Sequence, residues 1–438
     1  MRYFLYNLVL GAAAIILVPY YGFRLAFTGK YKRSAGAKLG FYSPETFRNL
    51  NGTPRIWVHA VSVGEVSAAK PIIEELRARY PEGCIILSTS TETGHDTAKR
   101  LVGGAAAHLY YPLDIPWVID RIMGKVVPDV FVPVETEIWP NFIHICRKLK
   151  VKVVMVNGRI SPRSFAGYKA TRFFWAKVLE SVDSIGVIST TDAERFEAIG
   201  AQSHKISIIG NAKYDSLDTG ADEIRLQELM RLLALSDEVP VLVAGSTHEG
   251  EEKILFDVFK ILKKEFPDLV LFIVPRHIER VGAIRHLLIE EGLDREAICF
   301  TELVKGKNRD GRQVVIVDAM GILFALYGCA DAVYCGGSLV PRGGQNALEA
   351  AAWGKVVFFG PHMEDFISER DQLVAAGAGI TVTCAKDLAV GINAMFSKPE
   401  ERRLRGEAGK GVLQKNRGAS LRYADLISSV LLSCQPCL

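Results

Sequence analysis

The sequence predicts an α/β protein of two doubly wound, Rossmann-like domains, and three observations carry this. The chain has 438 residues, too many for one ordinary core. Apolar strand-like runs alternate with helical patterns along nearly all of it, as in parallel sheets covered by helices on both faces. The alternation stops once, at a polar, charged stretch over 215–238, and then restarts. At 49% hydrophobic and 23% charged residues, the chain can bury a sizeable core. A net charge of only +4, with no aromatic-interleaved basic run, argues against nucleic acid as a partner.

The N-terminal segment stands apart. Residues 3–23 carry no charge and centre on an apolar run at 8–18, close to the roughly 20 residues a helix needs to span a bilayer. Arg24, Lys30, Lys32, Arg33 and Lys38 follow before the first acid, Glu45. Such a cluster places its side in the cytoplasm and attracts anionic lipid. A cleaved signal peptide would need a small-x-small site after the apolar run, and none is clean. A helix lying in the interface fits the interruption by Pro19, Tyr20, Tyr21 and Gly22. An uncleaved anchor over 1–28 is favoured over that interfacial helix.

In the first domain, over 29–216, strands are expected at 56–61, 85–90, 108–111, 130–134, 153–156, 184–188 and 206–209. Helices are expected at 66–80, 93–101, 117–123, 140–149, 170–182 and 193–200. A linker over 217–238 leads to the second domain, over 239–395. There, strands are expected at 239–244, 269–274, 314–317, 332–335 and 356–359, and helices at 251–266, 278–292, 322–330, 346–353 and 371–376. A charged helical segment and tail, 396–438, ends the chain. Of the eight cysteines, six fall mostly in apolar patterns, as buried free thiols do. Cys434 and Cys437 form a lone C-x-x-C and are assigned to the tail. Two doubly wound domains make a cleft between them, where small-molecule sites concentrate.

In open α/β sheets, ligands bind at the carboxyl ends of strands. Glu65 stands just there, in His59-Ala60-Val61-Ser62-Val63-Gly64-Glu65, and is a candidate general base. Ser62-x-x-Glu65 is equally a capping box, and spacing alone does not separate the two readings. Gly64 permits close approach by another molecule. Val134-Glu135-Thr136-Glu137-Ile138-Trp139-Pro140-Asn141 brings two carboxylates to another strand end, although acids and a proline also suit an ordinary helix start. Asn157-Gly158-Arg159 and Gly210-Asn211-Ala212-Lys213 add cations at the same edge, with Lys213 a charge partner for an anionic ligand.

In the second half, Gly245-Ser246-Thr247-His248 opens a helix after a strand, a place for anions. Pro275 and Arg276 end another strand. The loop Gly336-Gly337-Ser338-Leu339-Val340-Pro341-Arg342-Gly343-Gly344-Gln345-Asn346-Ala347-Leu348-Glu349 holds four glycines and enters a helix. Asn346 and Glu349, three apart, are expected on one helix face, where the carboxylate would accept from two ribose hydroxyls. Neither a Walker A motif nor a G-x-G-x-x-G fingerprint is present, which argues against an NTPase and a dinucleotide dehydrogenase.

The segments His59–Glu65, Glu135–Asn141, Gly210–Asp215, Ser246–Glu252, Val274–Arg280 and Gly336–Glu349 resemble, in this order and over nearly the whole chain, the 3-deoxy-D-manno-octulosonic acid (Kdo) transferases of lipid A and lipopolysaccharide synthesis. The basic, apolar N-terminus resembles theirs as well. The resemblance implies a GT-B glycosyltransferase that inverts configuration, with a lipid A precursor as acceptor in the first domain and CMP-Kdo as donor in the second. It implies Glu65 as general base, with Ser62 and Gly64 beside it on the acceptor side, and Glu135 and Lys213 in transition-state stabilisation. Pro275, Arg276, Met320, Gly321 and Asn346, Ala347, Leu348 and Glu349 match its CMP-binding segments, with no metal and no cofactor. The Gly337 and Ser338 amides join Lys213 and Arg276 as candidates for the donor's negative charge. It places the enzyme at the cell inner membrane, in contact with its lipids, with the catalytic domains on the cytoplasmic side.

Two departures from the family pattern fall in the donor pocket. Met320-Gly321-Ile322 stands where the family has Met-Gly-Glu, and Gln345-Asn346-Ala347-Leu348-Glu349 where it has His-Asn-Pro-Leu-Glu. Two alternatives follow. One is a GT-B enzyme for a UDP-sugar, as transferase or epimerase. The other is a non-enzymatic membrane scaffold, which rests on Ile322 and Gln345 alone and is opposed by the intact Glu65, Lys213, Arg276 and Glu349.

Overall fold

A computed structural model describes residues 3–15, 33–217, 223–236 and 238–433. The chain divides into two compact units, one made of 1–216 and 417–438, the other of 217–416. The first unit contains strands β1 Arg55–His59, β2 Cys84–Thr89, β3 Ala107–Tyr110, β4 Val130–Pro133, β5 Lys152–Gly158, β6 Ser184–Val187 and β7 Ile206–Ile208. They form one seven-stranded sheet in the order β3-β2-β1-β4-β5-β6-β7, parallel throughout. The second unit contains β8 Val241–Thr247, β9 Val270–Pro275, β10 Ala297–Cys299, β11 Val314–Ile316, β12 Ala332–Cys335, β13 Val356–Phe359 and β14 Gly379–Thr381. These also form a seven-stranded sheet, in the order β10-β11-β9-β8-β12-β13-β14, again parallel.

Sheets covered on both faces require strands that are apolar on both faces. β2 and β12 are buried along their whole length. Successive side chains of β1 alternate between two cores. Trp57 packs with Phe131, Phe142 and Met155 on one side. Ile56 and Val58 pack with Val132, Val154, Tyr423 and Ile427 on the other. Tyr423 and Ile427 belong to the Ala419–Leu432 helix. The tail expected as one piece over 396–438 is therefore divided: its first part lies with the second unit and its last helix completes the core of the first.

Several elements depart from expectation. The edge strands β10 and β14 were not anticipated; each is three residues long, too short to show a period. The helix expected over 170–182 is Arg172–Leu179, and a further helix, Pro162–Ala170, precedes it across Thr171 where none was expected. The polar linker carries a helix, Glu223–Leu232, that belongs to the second unit. Cys84, Cys146, Cys299 and Cys335 are buried and free, while Cys384 is exposed. Cys434 and Cys437 lie outside the described residues.

The membrane anchor expected over 1–28 lies largely outside the described residues. A helix covers 3–15, and residues 16–32 lie outside the described residues. Among the described residues, no helix is long and apolar enough to cross a membrane. The described part, the 3–15 helix, lies against the first unit. Tyr6 donates to Asp114 at 2.8 Å, the side-chain amides of Asn7 and Asn141 exchange hydrogen bonds, and the Tyr3 ring packs against His144 at a tilt. Phe4, Leu5, Leu8, Val9 and Ile15 remain exposed.

Candidate active site

The strand order of each sheet reverses at one place. In the first unit the chain leaves β1 for β2 and β3 on one side, then returns to β4 on the other. In the second, β9 and β12 flank β8 in the same way. At such a switch point the connections diverge above the strand ends and leave a crevice for ligand. Most of the residues singled out in the sequence stand at these edges.

In the first unit, β1 ends at His59 and the Val63–Arg79 helix begins just beyond, with Glu65 in its first turn. The Glu65 carboxylate accepts from the Val61 amide at 2.5 Å and from the Ser62 hydroxyl at 3.3 Å. That engagement at its own helix start is what the capping reading expects. The reciprocal half of a capping box is missing, because the Ser62 side chain accepts no helix amide. The capping reading also does not account for the neighbours of Glu65. Burial raises its carboxyl to about 8, and the negative charges of Glu135 and Glu137 add to the rise, against the smaller pull of the Val61 and Ser62 bonds.

Glu135 follows β4 with a positive φ of 63°, a strained conformation for a glutamate. Its backbone amide donates to Val156 O at 3.0 Å, so the strain is held by the neighbouring strand. Lys213 Nζ donates to Glu135 Oε1 at 2.7 Å. The Lys213 loop is fixed from two sides. Asn157, buried and also at positive φ, accepts from the Ala212 amide at 2.9 Å, and Asn211 accepts from the Lys213 amide at 3.0 Å. A side chain built at Gly64 would meet nothing closer than 4.0 Å, where its nearest neighbours are Lys213 Nζ and Ser62 Oγ. Protein packing therefore does not demand the glycine, and a side chain there would just touch the ammonium. Glu65, Glu135, Lys213, Ser62 and Gly64 thus come together at one edge.

Glu137 and His59 join this cluster and were not singled out as site residues. Trp139 Nε1 donates to Glu137 Oε2 at 2.7 Å, and His59 Nε2 lies 3.7 Å from the same oxygen. The sequence signal was present in the two strand-end carboxylates of Glu135-Thr136-Glu137, of which the family resemblance assigns a role to Glu135 alone.

In the second unit, Glu251 organises the glycine-rich loop after β12. It is fully buried and accepts from Tyr334 OH at 2.6 Å and from the amides of Gly337, Ser338 and Leu339 at 2.8, 3.0 and 3.1 Å. The Gly337 and Ser338 amides expected to face a phosphate are directed instead at this carboxylate. Gly336 has to be glycine, because a Cβ there would lie 2.4 Å from Ser246 O. Pro275 ends β9, and the Arg276 amide donates to Thr247 O at 3.0 Å, which places both beside β8.

Asn346 lies before the Leu348–Ala352 helix rather than on it, so the shared helix face is corrected. The pair still meets: Asn346 Nδ2 donates to Glu349 Oε1 at 3.3 Å. Burial raises the Glu349 carboxyl, opposed by the Asn346 bond and by the positive charge of Arg276. Ala347 and Leu348 are buried beneath them. Met320 is 83% exposed, the most exposed large apolar side chain described, and Gly321 beside it has open space around its Cβ position. Ile322 turns inward and is buried, so the lost carboxylate is replaced by a core contact. Among the described residues, no group of three or more His, Cys, Asp or Glu side chains is placed to hold a metal ion.

Comparison with known proteins follows the same lines. A family profile described as 3-Deoxy-D-manno-octulosonic-acid transferase (kdotransferase) matches residues 33–216. The 3-deoxy-D-manno-octulosonic acid transferase of Haemophilus influenzae is 33% identical over 98% of this chain and 99% of its own length. That of Chlamydophila psittaci is 30% identical over 91% and 90%. A probable mitochondrial 3-deoxy-D-manno-octulosonic acid transferase of Arabidopsis thaliana is 29% identical over 82% and 81%. Among solved structures, a glycosyltransferase from Rickettsia africae matches with a TM-score of 0.59 at 15% identity, over 87% of this chain and 100% of that one. UDP-GlcNAc 2-epimerase from Neisseria meningitidis matches with a TM-score of 0.58 at 13% identity, over 86% and 100%. At these identities the structural likeness concerns the fold alone.

Proposed function

Because this chain belongs to the 3-deoxy-D-manno-octulosonic acid transferase family, we propose that it transfers Kdo from CMP-Kdo to a glucosamine hydroxyl of a lipid A precursor, with inversion at the anomeric carbon. The observation that carries this reading is the convergence of Glu65, Glu135 and Lys213 at the switch-point edge of the first sheet. Glu65 takes the proton from the acceptor hydroxyl as its oxygen attacks C2 of Kdo, and the bond from C2 to the phosphate oxygen breaks. CMP departs as an anion and needs positive charge rather than a proton. With the Gly337 and Ser338 amides engaged by Glu251, that demand falls on the Arg276 side chain in the second unit. Lys213, paired with Glu135, supplies a fixed positive charge beside the reacting centre. Asn346 and Glu349 present an amide and a carboxyl to the ribose.

The acceptor is a lipid, and the reading extends to the inner membrane, with the catalytic units on its cytoplasmic side. The exposed apolar side chains of the 3–15 helix support it. The test is incubation of the purified protein with CMP-Kdo and a tetraacylated lipid A precursor. CMP release and a product heavier by Kdo are expected, with Glu65→Gln slower by about 10²-fold or more. Absence of product, or a Glu65→Gln variant as fast as wild type, defeats the reading. Thermal stabilisation by UDP and not by CMP would turn the assignment to a UDP-sugar.

A further inference from the structure

The Pro140–Lys148 helix follows directly on the Glu135–Trp139 turn and does not cap itself. Its N-cap is Trp139, whose side chain takes no helix amide, and Pro140 fills the first position. Buried amides at a helix start then need an acceptor from elsewhere. Asp114, from the loop after β3, supplies it: Oδ2 accepts from the Asn141 amide at 3.1 Å and Oδ1 from the Phe142 amide at 2.8 Å. Asp114 is only 5% exposed, and burial raises its carboxyl, so its charge depends on the donors around it. One of these is the Tyr6 hydroxyl at 2.8 Å. Asn141, buried as well, donates from its side chain to Asp114 O at 2.7 Å and exchanges side-chain bonds with Asn7 at 2.7 and 3.2 Å. Two residues of the 3–15 helix therefore close this helix start. The turn that leads to it is internally tied. Thr136 donates to the Arg159 carbonyl, the Ile138 amide donates to Thr136 O at 2.9 Å, and Trp139 packs on Tyr111 with ring centroids 5.6 Å apart. A strained residue such as Glu135, at a φ of 63°, persists where its surroundings over-determine it.

We infer that Tyr6 and Asn7 are positioning residues: they seat the start of the Pro140–Lys148 helix, and through it the Glu135 turn, and a lipid bilayer sets them in place by covering the other face of their own helix. The inference rests on the membrane reading above and on Glu135 at the reacting centre. The 3–15 helix is short, and such a helix is marginal in water without a surface to pack on. It meets the first unit through Tyr3, Tyr6 and Asn7, while Phe4, Leu5, Leu8, Val9 and Ile15 stay exposed. The unit is apolar beside the seat as well. Leu113 and Trp117 stand on either side of Asp114 in the chain, and Phe173 precedes Phe174, whose ring stacks on Tyr6 at 5.6 Å; Leu113, Trp117 and Phe173 are all exposed. A bilayer that covers both sets of side chains binds the docked helix better than a released one, and it shifts the population toward the docked state. Arg33, tied to Asp96 at 2.8 Å and still 59% exposed, adds positive charge for anionic lipid.

The test uses the full chain on vesicles of phosphatidylethanolamine and phosphatidylglycerol that carry a lipid A precursor, with CMP-Kdo as donor. Tyr6→Phe combined with Asn7→Ala removes the seat and keeps the apolar face. The double variant should float with the vesicles as wild type does, with KM for CMP-Kdo within about twofold and kcat lower by about 10-fold. Hydrogen exchange with acceptor-free vesicles gives a second readout. In wild type the Asn141 and Phe142 amides should exchange more slowly once vesicles are added, and in the variant they should not respond. A kcat equal to that of wild type overturns the inference, as does a variant that no longer floats. A rise in KM for CMP-Kdo as large as the fall in kcat shows a general structural defect and overturns it too. Should the double variant fail to fold, Asn7→Ala alone is read in the same way. Wild type that makes no Kdo product on vesicles defeats the proposed function itself. Wild type that makes product while its exchange ignores the vesicles defeats only the coupling between bilayer and site.

Discussion

Glu65 ties protonation to stability as well as to chemistry. Its carboxyl lies at about 8 in the folded chain, against an ordinary 4.5. Between those values the folded protein holds a proton that the unfolded chain releases. The stability this contributes is fully present below about 4.5 and is lost as pH rises through about 8. Glu65→Gln has no such proton to lose. By calorimetry, its melting temperature should gain on wild type from pH 5 to pH 8 and run parallel above about pH 9. A gap that stays constant would show that the folded carboxyl is not raised. Lys213 separates function from stability. Its pair with Glu135 is partly solvated, with side chains 29% and 21% exposed. Lys213→Ala should therefore change the unfolding free energy by less than about 1 kcal/mol in a denaturant titration. In a CMP-release assay the same variant should lose about 10²-fold in kcat. Glu65, Glu135 and Lys213 were legible because strand ends mark ligand edges. The commitment of the Gly337 and Ser338 amides was not, because Glu251 lies more than eighty residues away in sequence and reads there as an ordinary helix-start acid.

At the scale of elements, long apolar strands were legible and short edges were not. β12 and β13 fall on the expected residues, since a fully buried parallel strand is a continuous apolar run bounded by turns. β10 and β14 each pair on one side only, and three residues leave no period to read. The 3–15 helix shows a different limit. It covers only the first part of the stretch whose composition reads as a span, and Tyr3, Tyr6 and Asn7 give it a face that docks on the first unit. Five apolar side chains on the remaining surface, Phe4, Leu5, Leu8, Val9 and Ile15, fit an interfacial helix. The full chain should accordingly float with vesicles containing anionic lipid. Leu8→Asp combined with Val9→Asp should reduce the floating fraction several-fold, as about 1.5–3 kcal/mol of apolar burial is lost per side chain. Flotation unaffected by the double variant would move membrane contact elsewhere in the chain.

On the scale of the whole molecule, the sequence showed two α/β halves but not that the chain runs between them twice, at 216/217 and again at 416/417. The return depends on a long-range contact that no local pattern encodes. Asp215, next to the first crossing, accepts from the Gly418 and Ser420 amides, each at 2.7 Å, just past the second. Asp215 thereby serves the start of the Ala419–Leu432 helix from two hundred residues upstream. The helix in turn grips the Lys213 loop: Tyr423 OH donates to Gly210 O at 2.8 Å, and Arg422 donates to Ile209 O at 2.8 Å. Tyr423 and Ile427, both fully buried, add about 2 kcal/mol each to the same anchorage. Asp215→Ala removes two charge-assisted bonds, with an expected loss of about 3 kcal/mol in stability. Because the loop carries Lys213, kcat should fall while KM for CMP-Kdo, bound in the second unit on the proposed reading, holds within about twofold. Tyr423→Phe leaves the packing and removes one bond, and should lower kcat in the same sense with a stability loss of only about 1 kcal/mol. Denaturant titration and steady-state kinetics on both variants check this, and a change confined to stability would leave the C-terminal helix a structural closure of the first unit with no hold on Lys213.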